Sequence, residues 1–517
     1  CNHCDDPVCL KGCPTRAYTK FAEYGAVLQD PDICFGCGYC TWVCPYNAPQ
    51  LDPVKGQVSK CNMCVDRLEV GLKPSCVAAC LGNALDFGVI ENIPEGRSQA
   101  KSEIPGFPRT DITHPNIRFQ QTRTTQRDMK RVDSTALKYH RSENDGQFRP
   151  TVDPKHGFKR EWNLNKLLGS HENAHIAFTL SAQAVMGAFV LLLAGVWGMV
   201  SSITIFTASK GYLPMLGISL VVMGFGLFKL NMHLGKPHRF YRGFYNMRWS
   251  PVSREIAGVS LFFTGLAGFT FFALFSGDFA SLMNSLFGLL GLAGAVMGGY
   301  FMYKLYRIPA RPFWNHWHTG ASFLGTGLTL GPILMALVAL LYGAMTKDLA
   351  TVLSSVIAAG LLLEMIALLF HAHDMQKNGD EGAVSHYEQV TAYAYPYWLR
   401  NGLLLVSLLL AAGIVYTSAT DPFVFGLLSF TTLSAAILGR ALFYVLVIPT
   451  TMPGAFFWRN KGFVEHARDT GLADMPQVGV VYEGHHAFDM KELVSTMRNT
   501  KLEEVLGQLR AIFQIKE

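Results

Sequence analysis

Every cysteine in this chain, twelve in all, lies within the first eighty of its 517 residues. They fall into three quartets. Cys1-x2-Cys4-x4-Cys9-x3-Cys13-Pro14 is the first, Cys34-x2-Cys37-x2-Cys40-x3-Cys44-Pro45 the second and Cys61-x2-Cys64-x11-Cys76-x3-Cys80 the third. Sulfurs separated by two residues share one tight turn, which suits a metal and suits a crosslink poorly. Disulfides are the usual use of dense cysteines in short secreted domains, and zinc accepts Cys-x2-Cys pairs. Neither asks for a third cysteine three residues on, followed by x3-Cys-Pro.

The middle quartet reproduces the run that holds iron–sulfur cubes, in which three close cysteines grip one cube and the fourth reaches its neighbour. That rule predicts crossed ligation. Cys34, Cys37 and Cys40 share a cube with Cys13, and Cys1, Cys4 and Cys9 share one with Cys44. Cys61, Cys64, Cys76 and Cys80 then supply ligands for two more cubes. The expectation is two complete [4Fe-4S] clusters, with the remaining ligands in an N-terminal part of the domain missing upstream of Cys1. The expected role is electron transfer.

The rest of the chain is written for a different solvent. Charged residues make up 16% of the whole and apolar ones 50%. A membrane-spanning helix needs about 20 apolar residues. Eight runs qualify, at about 174–202, 212–235, 254–276, 282–306, 317–343, 350–373, 394–418 and 422–449. Gly288, Gly291, Gly294 and Gly298 recur through the fourth, a spacing that lets membrane helices pack closely. The expected fold is multi-domain. A loop-rich α+β ferredoxin-like iron–sulfur domain (1–90) leads, by an extended basic strap (91–170), to an all-α eight-helix transmembrane bundle (171–450) and a tail (451–517). Leu493, Leu502, Leu506, Leu509 and Phe513 recur at helical spacing in that tail.

The strap carries Arg123, Arg127, Lys130, Arg131, Lys138 and Arg141. No nucleic-acid fold accompanies this run, so lipid headgroups or a partner subunit are the expected contacts rather than nucleic acid. Eight crossings put both ends of the bundle on one side. Loops on the cysteine side carry Lys229, Lys236, Arg239, Arg242, Arg248, Arg254, Lys304, Arg307, Arg311, Lys377 and Arg400, against Lys210 and Lys347 opposite. Positive-inside counting places the cysteine domain on the cytoplasmic face of a bacterial inner membrane. The same basic loops are equally suited to docking that domain.

The chain resembles the dimethyl sulfoxide reductase family. The cysteine region is similar to that family's four-cluster electron-transfer subunit through Cys1-Asn-His-Cys4, Cys44-Pro-Tyr-Asn-Ala-Pro-Gln50 and Ala84-Leu-Asp-Phe-Gly88. The membrane region is similar to the anchor subunit through Met232-His-Leu-Gly235, Arg254-Glu-Ile-Ala-Gly258 and Gly439-Arg-Ala-Leu-Phe-Tyr444. Two departures stand out: subunits that are usually separate chains are fused, and Leu81 follows the last cysteine where the family has proline. The resemblance implies a separate molybdopterin catalytic subunit and a quinone or menaquinone at the membrane. It also implies that the cube of Cys13, Cys34, Cys37 and Cys40 is the one nearest the bilayer. Substrate chemistry is then expected on the partner chain.

Quinol oxidation releases electrons and protons together, so proton acceptors are needed near a cluster. Ionisable groups in a bilayer are costly and by default functional. His233 ends the second run and Glu255 opens the third, both on the cysteine side and both at positions the resemblance ties to the quinol site. Glu364 and Arg440 lie inside the sixth and eighth runs and are further candidates, unless they simply neutralise one another. His316, His318, His371 and His373 sit at predicted helix ends and His175 lacks an evident partner, so no haem is expected. An ion-translocating subunit and a haem-bearing quinol anchor are the rival readings.

Overall fold

The computed structural model describes residues 1–52, 54–89, 100–101, 107–120, 127–130, 135–144, 148–157, 172–448, 450, 494–495, 498–499 and 503. In the cysteine domain two short helices, α1 (Val8–Gly12) and α2 (Tyr39–Val43), each stop at the last cysteine of a quartet. The reason is local. Pro14 and Pro45 forbid helical backbone in the residue before them, so Cys13 (ψ 119°) and Cys44 (ψ 116°) are extended. Each helix is followed by, or follows, a tight antiparallel hairpin. β1 (Tyr18–Lys20) pairs with β2 (Val27–Gln29), and β3 (Gln50–Asp52) with β4 (Gln57–Ser59). Two further short helices, α3 (Val65–Glu69) and α4 (Ser75–Ala78), carry the third quartet.

The strap is more structured than the sequence suggests. β5 (Ala100–Lys101) pairs with β6 (Phe119–Gln120). β7 (Asp128–Lys130), β8 (Leu137–Arg141) and β9 (Phe148–Val152) form a three-stranded antiparallel sheet, followed by α5 (Pro154–Gly157). Leu137 and Tyr139 bury against Val384 and Ile448, so this sheet borrows its core from the membrane domain. Arg127 and Lys138 meet Glu143 and Asp128 within the strap, while Arg123 and Arg131 lie outside the described residues. The amphipathic tail lies outside them too, except for helical residues at 494–495, 498–499 and 503.

Eight helices among the described residues are long and apolar enough to cross a bilayer: α6 (Asn173–Val196), α8 (Tyr212–His233), α9 (Pro251–Phe272), α10 (Asp278–Leu305), α11 (His318–Leu341), α12 (Lys347–Asn378), α14 (Ala394–Thr417) and α15 (Pro422–Val445). Short α7 (Ser201–Thr207) and α13 (Glu381–Val390) lie between spans. α6, α8, α9 and α10 form one half, and α11, α12, α14 and α15 the other. α6 is the most enclosed span and joins the halves through a backbone-close seam of Gly187 against Gly327 and Gly331.

The glycine run of α10 does what its spacing predicts. A Cβ on Gly258 would collide with Gly298, one on Gly265 with Gly291, and one on Gly294 with the backbone of Phe262. Leucine at Gly294 should therefore cost roughly 1–3 kcal/mol or more through overpacking. The check is the thermal midpoint of the solubilised chain. An unchanged midpoint would mean that α9 and α10 do not touch there.

Candidate functional site

The cysteine domain is seated on the bundle by hydrogen bonds to its backbone. Asn246 donates to the Cys13 carbonyl at 2.8 Å and the Lys11 carbonyl at 3.3 Å. Ser250, the cap of α9, donates to the Gly12 carbonyl at 2.7 Å. Arg239 reaches the Cys34 carbonyl at 3.0 Å, Arg242 the Asp32 carbonyl and Arg311 the Trp42 carbonyl at 2.9 Å. Tyr39 of α2 donates to the Leu305 carbonyl at 2.9 Å. Gly36, Gly56 and Gly235 meet backbone to backbone, a closeness that no Cβ allows. Gly36 (φ 75°) and Gly56 (φ 61°) also hold left-handed backbone. Three of the basic side chains counted for orientation are thus bound to the cysteine domain. Arg400, counted among the loop charges, lies buried inside α14.

Within that domain thiols of different quartets gather: Cys37 and Cys40 lie near enough to Cys13 and Cys34 to couple electrostatically, and Cys9 to Cys44 and Cys4. Cys1, Cys4, Cys9 and Cys44 line one pocket together with His3, Tyr46 and Lys60. The Cys13 sulfur accepts from Ala17 N–H at 3.4 Å, and the Cys34 sulfur from Gly36 N–H at 3.4 Å. Burial, then the neighbouring Cys44, pushes the Cys9 thiol up to about 12. Buried thiolates need compensating cations, which is what irons between them supply. The third quartet differs: Cys61 and Cys76 are exposed, and Leu81 beside Cys80 is fully so.

The membrane-side group of thiols abuts a cluster of titratable side chains. Trp42, between Cys40 and Cys44, packs on His175 with ring centroids 5.2 Å apart. His175 in turn meets His233 edge-on at 4.3 Å. Glu172 lies 2.9 Å from His175 Nδ1, an ion-pair distance without good hydrogen-bond alignment. Burial pushes the Glu172 carboxyl up, but His175, His233 and Arg311 outweigh it and hold the group below the usual carboxylate range. Tyr306 and Tyr444 share a 2.6 Å hydrogen bond beside His175. Glu255 stands near enough to couple electrostatically to Tyr39, Tyr306 and Tyr444.

Comparison with known proteins agrees with this division of labour. Residues 167–446 match the family model described as DMSO reductase anchor subunit (DmsC), and residues 1–90 that of a 4Fe-4S dicluster domain. The chain belongs to the DMSO reductase anchor subunit family. Fused ahead of the anchor, the iron–sulfur part is 46% identical over 117 residues to a chain of the anaerobic dimethyl sulfoxide reductase of Escherichia coli (strain K12), covering 23% of this chain and 56% of that protein. It is 42% identical over 113 residues to a subunit of the sulfite dehydrogenase of Allochromatium vinosum (21% and 47% covered). It is 40% identical over 118 residues to the iron-sulfur subunit of the nitrate-inducible formate dehydrogenase of Escherichia coli (strain K12) (22% and 40% covered). The chain spans about half the length, or less, of these curated relatives.

In this anchor His233 touches His175 beside Tyr444, and Glu255 couples electrostatically to Tyr444. Glu364 and Arg440 couple electrostatically but share no hydrogen bond. Arg440 donates to Gln183 at 2.8 Å and Thr326 at 3.3 Å, and stacks on Phe323 at 4.0 Å, while Glu364 takes Ser322 at 3.5 Å. His175 does have partners, contrary to expectation. α12 runs several residues past the predicted span, so His371 and His373 lie within it rather than at its end. Sequence reasoning passed over Glu172, Trp42, Tyr306 and Tyr444 as site residues. Only the Trp42 position, between two ligating cysteines, carried a signal.

Proposed function

We propose that this chain passes electrons between a membrane quinone, such as menaquinone, and a separate molybdopterin-bearing catalytic subunit. It does so from the cytoplasmic face of a bacterial inner membrane. One observation carries the reading: Trp42, held between cluster ligands, touches His175, which touches His233. A quinone held at these imidazoles is separated from the cluster-ligand segment Cys40–Cys44 by the Trp42 side chain alone, and electron transfer weakens steeply with distance. When bound, a [4Fe-4S] cube supplies one-electron chemistry. The chain's own residues do the rest. His233 and His175 offer hydrogen bonds to a quinone oxygen, and an imidazole can exchange a proton with it. Glu172, an anion at neutral pH, orients His175. Glu255 or a water bound to it takes a proton.

The relatives named for sulfoxide reduction, sulfite oxidation and formate oxidation share the iron–sulfur part, so the terminal substrate belongs to the partner. Photolabelling the complex with an azidoquinone tests the site. Labels are expected on peptides holding Trp42, His175 or His233. Labels confined to α12 and α14 would refute it.

A further inference from the structure

The second half of the bundle encloses a charge that the quinone reading leaves unused. Arg400 of α14 is 3% exposed, and its Nε and Nη2 have no hydrogen-bond partner. A guanidinium keeps its proton in any protein environment, so a full charge is stranded among membrane helices. Its electrostatic counterpart is Glu364 of α12, 7% exposed, which couples to Arg400. The Glu364 carboxylate nevertheless bonds Ser322 rather than the guanidinium. Buried guanidinium donors without a protein partner call for water beside them.

Ser322, which bonds Glu364, lies one turn from His318 on α11, and from His318 a row of imidazoles leads toward the surface. His318 packs on His371 with centroids 4.7 Å apart, and His371 on His316 at 5.1 Å. His316 Nε2 lies 3.0 Å from Asp374, whose side chain is 37% exposed. His318 Nε2 is a further buried atom without a partner. Glu364, His371 and Asp374 recur at spacings that keep them on one face of α12. In the other direction that face carries Leu361, Ile357 and Leu353, all fully buried. Other charged or titratable neighbours are Arg440 of α15, Tyr397 of α14, His373 and Lys377 of α12 beside Asp374, and His386 of α13, the last bonded to Gln376.

We propose that Arg400, Glu364 and the His318–His371–His316–Asp374 ladder form a water-filled, proton-binding half-channel. It opens only toward the face that carries the iron–sulfur domain. Leu361, Ile357 and Leu353 close it from the far side. The half-channel is independent of the quinone site and of the terminal substrate.

Infrared difference spectroscopy of the whole complex in lipid nanodiscs tests it. A carboxyl band that titrates between about pH 5 and pH 9 is expected, absent in Glu364→Gln, and shifting on transfer to D2O. Removing the cation in Arg400→Met should move its midpoint up by about one pH unit or more, because an opposite charge favours the ionised form. His371→Phe should slow the deuterium shift about tenfold or more. A spectrum identical in parent and Glu364→Gln, or a band that fails to exchange, would overturn the proposal. Hydroxyl-radical footprinting of the unaltered complex needs no variant. Oxidation of His318 and His371 supports a wet chamber, and their complete protection shows a dry one and sinks the idea.

Discussion

His233→Arg and Glu255→Gln should each cut quinol-driven reduction of the catalytic subunit by roughly 100-fold, within the range that a positioned acid or base contributes. His175→Phe should do the same. In all three, reduction by a soluble artificial dye should survive, because the iron–sulfur domain and its partner are untouched. The two assays separate the causes. Loss of both activities would mean that the substitution unseated the cysteine domain, which is a real risk at a docking face this crowded. Full quinol activity in His233→Arg and Glu255→Gln together would place the site elsewhere. Glu172→Gln is a gentler probe. It keeps the shape beside His175 while removing the charge that orients it, and its effect should be smaller than that of His175→Phe.

Cys13→Ser and Cys44→Ser test the crossing of the cluster ligands. If ligation follows the two-cluster rule, Cys13→Ser strips the cube gripped by Cys34, Cys37 and Cys40, not the one beside its own sequence neighbours. About four irons and four sulfides per chain should be lost at most in each variant, one cube's worth. The cube lost in Cys13→Ser is the one under Trp42, so quinol-linked reduction should vanish. In Cys44→Ser the membrane-side cube should remain reducible by quinol even though onward transfer fails. Iron and acid-labile sulfide analysis, with low-temperature EPR of quinol-treated membranes, reads both. Sequential rather than crossed ligation would exchange the two results. Stoichiometric zinc without sulfide would end the iron–sulfur reading altogether.

Much of this was legible in one dimension because the constraints are local or compositional. Two cysteines on one turn announce a ligand set wherever the turn lies. Proline after Cys13 and Cys44 dictates extended backbone at those residues. A helix in hydrocarbon must satisfy its own backbone and be apolar over its length, so the eight spans could be counted from runs of side chains. Even the seam between α9 and α10 was foreshadowed by the spacing of Gly288, Gly291, Gly294 and Gly298. His233 and Glu255 were visible as ionisable residues at the ends of apolar runs, where burial of charge demands a reason.

Where the polar groups meet was not legible. Glu172, His175, Tyr306 and Tyr444 come from positions far apart in the chain, and each alone reads as an ordinary helix-end or core residue. The docking of the cysteine domain draws its bonds from Asn246 and Ser250, residues with no motif value. Arg400 is counted with the loop charges although it falls inside the seventh predicted run, and α14 carries it buried in the bundle. The sequence by itself determined the cysteine quartets, the number of apolar spans and the placing of His233 and Glu255 at one end of the bundle, since spacing and hydropathy act over a few residues. Only the tertiary structure decided which histidines touch and that Glu364 and Arg440 take separate partners. It alone showed that a guanidinium is stranded beyond its counter-charge. Those outcomes depend on how helices rotate and cross, and that is set by side-chain packing between segments tens to hundreds of residues apart.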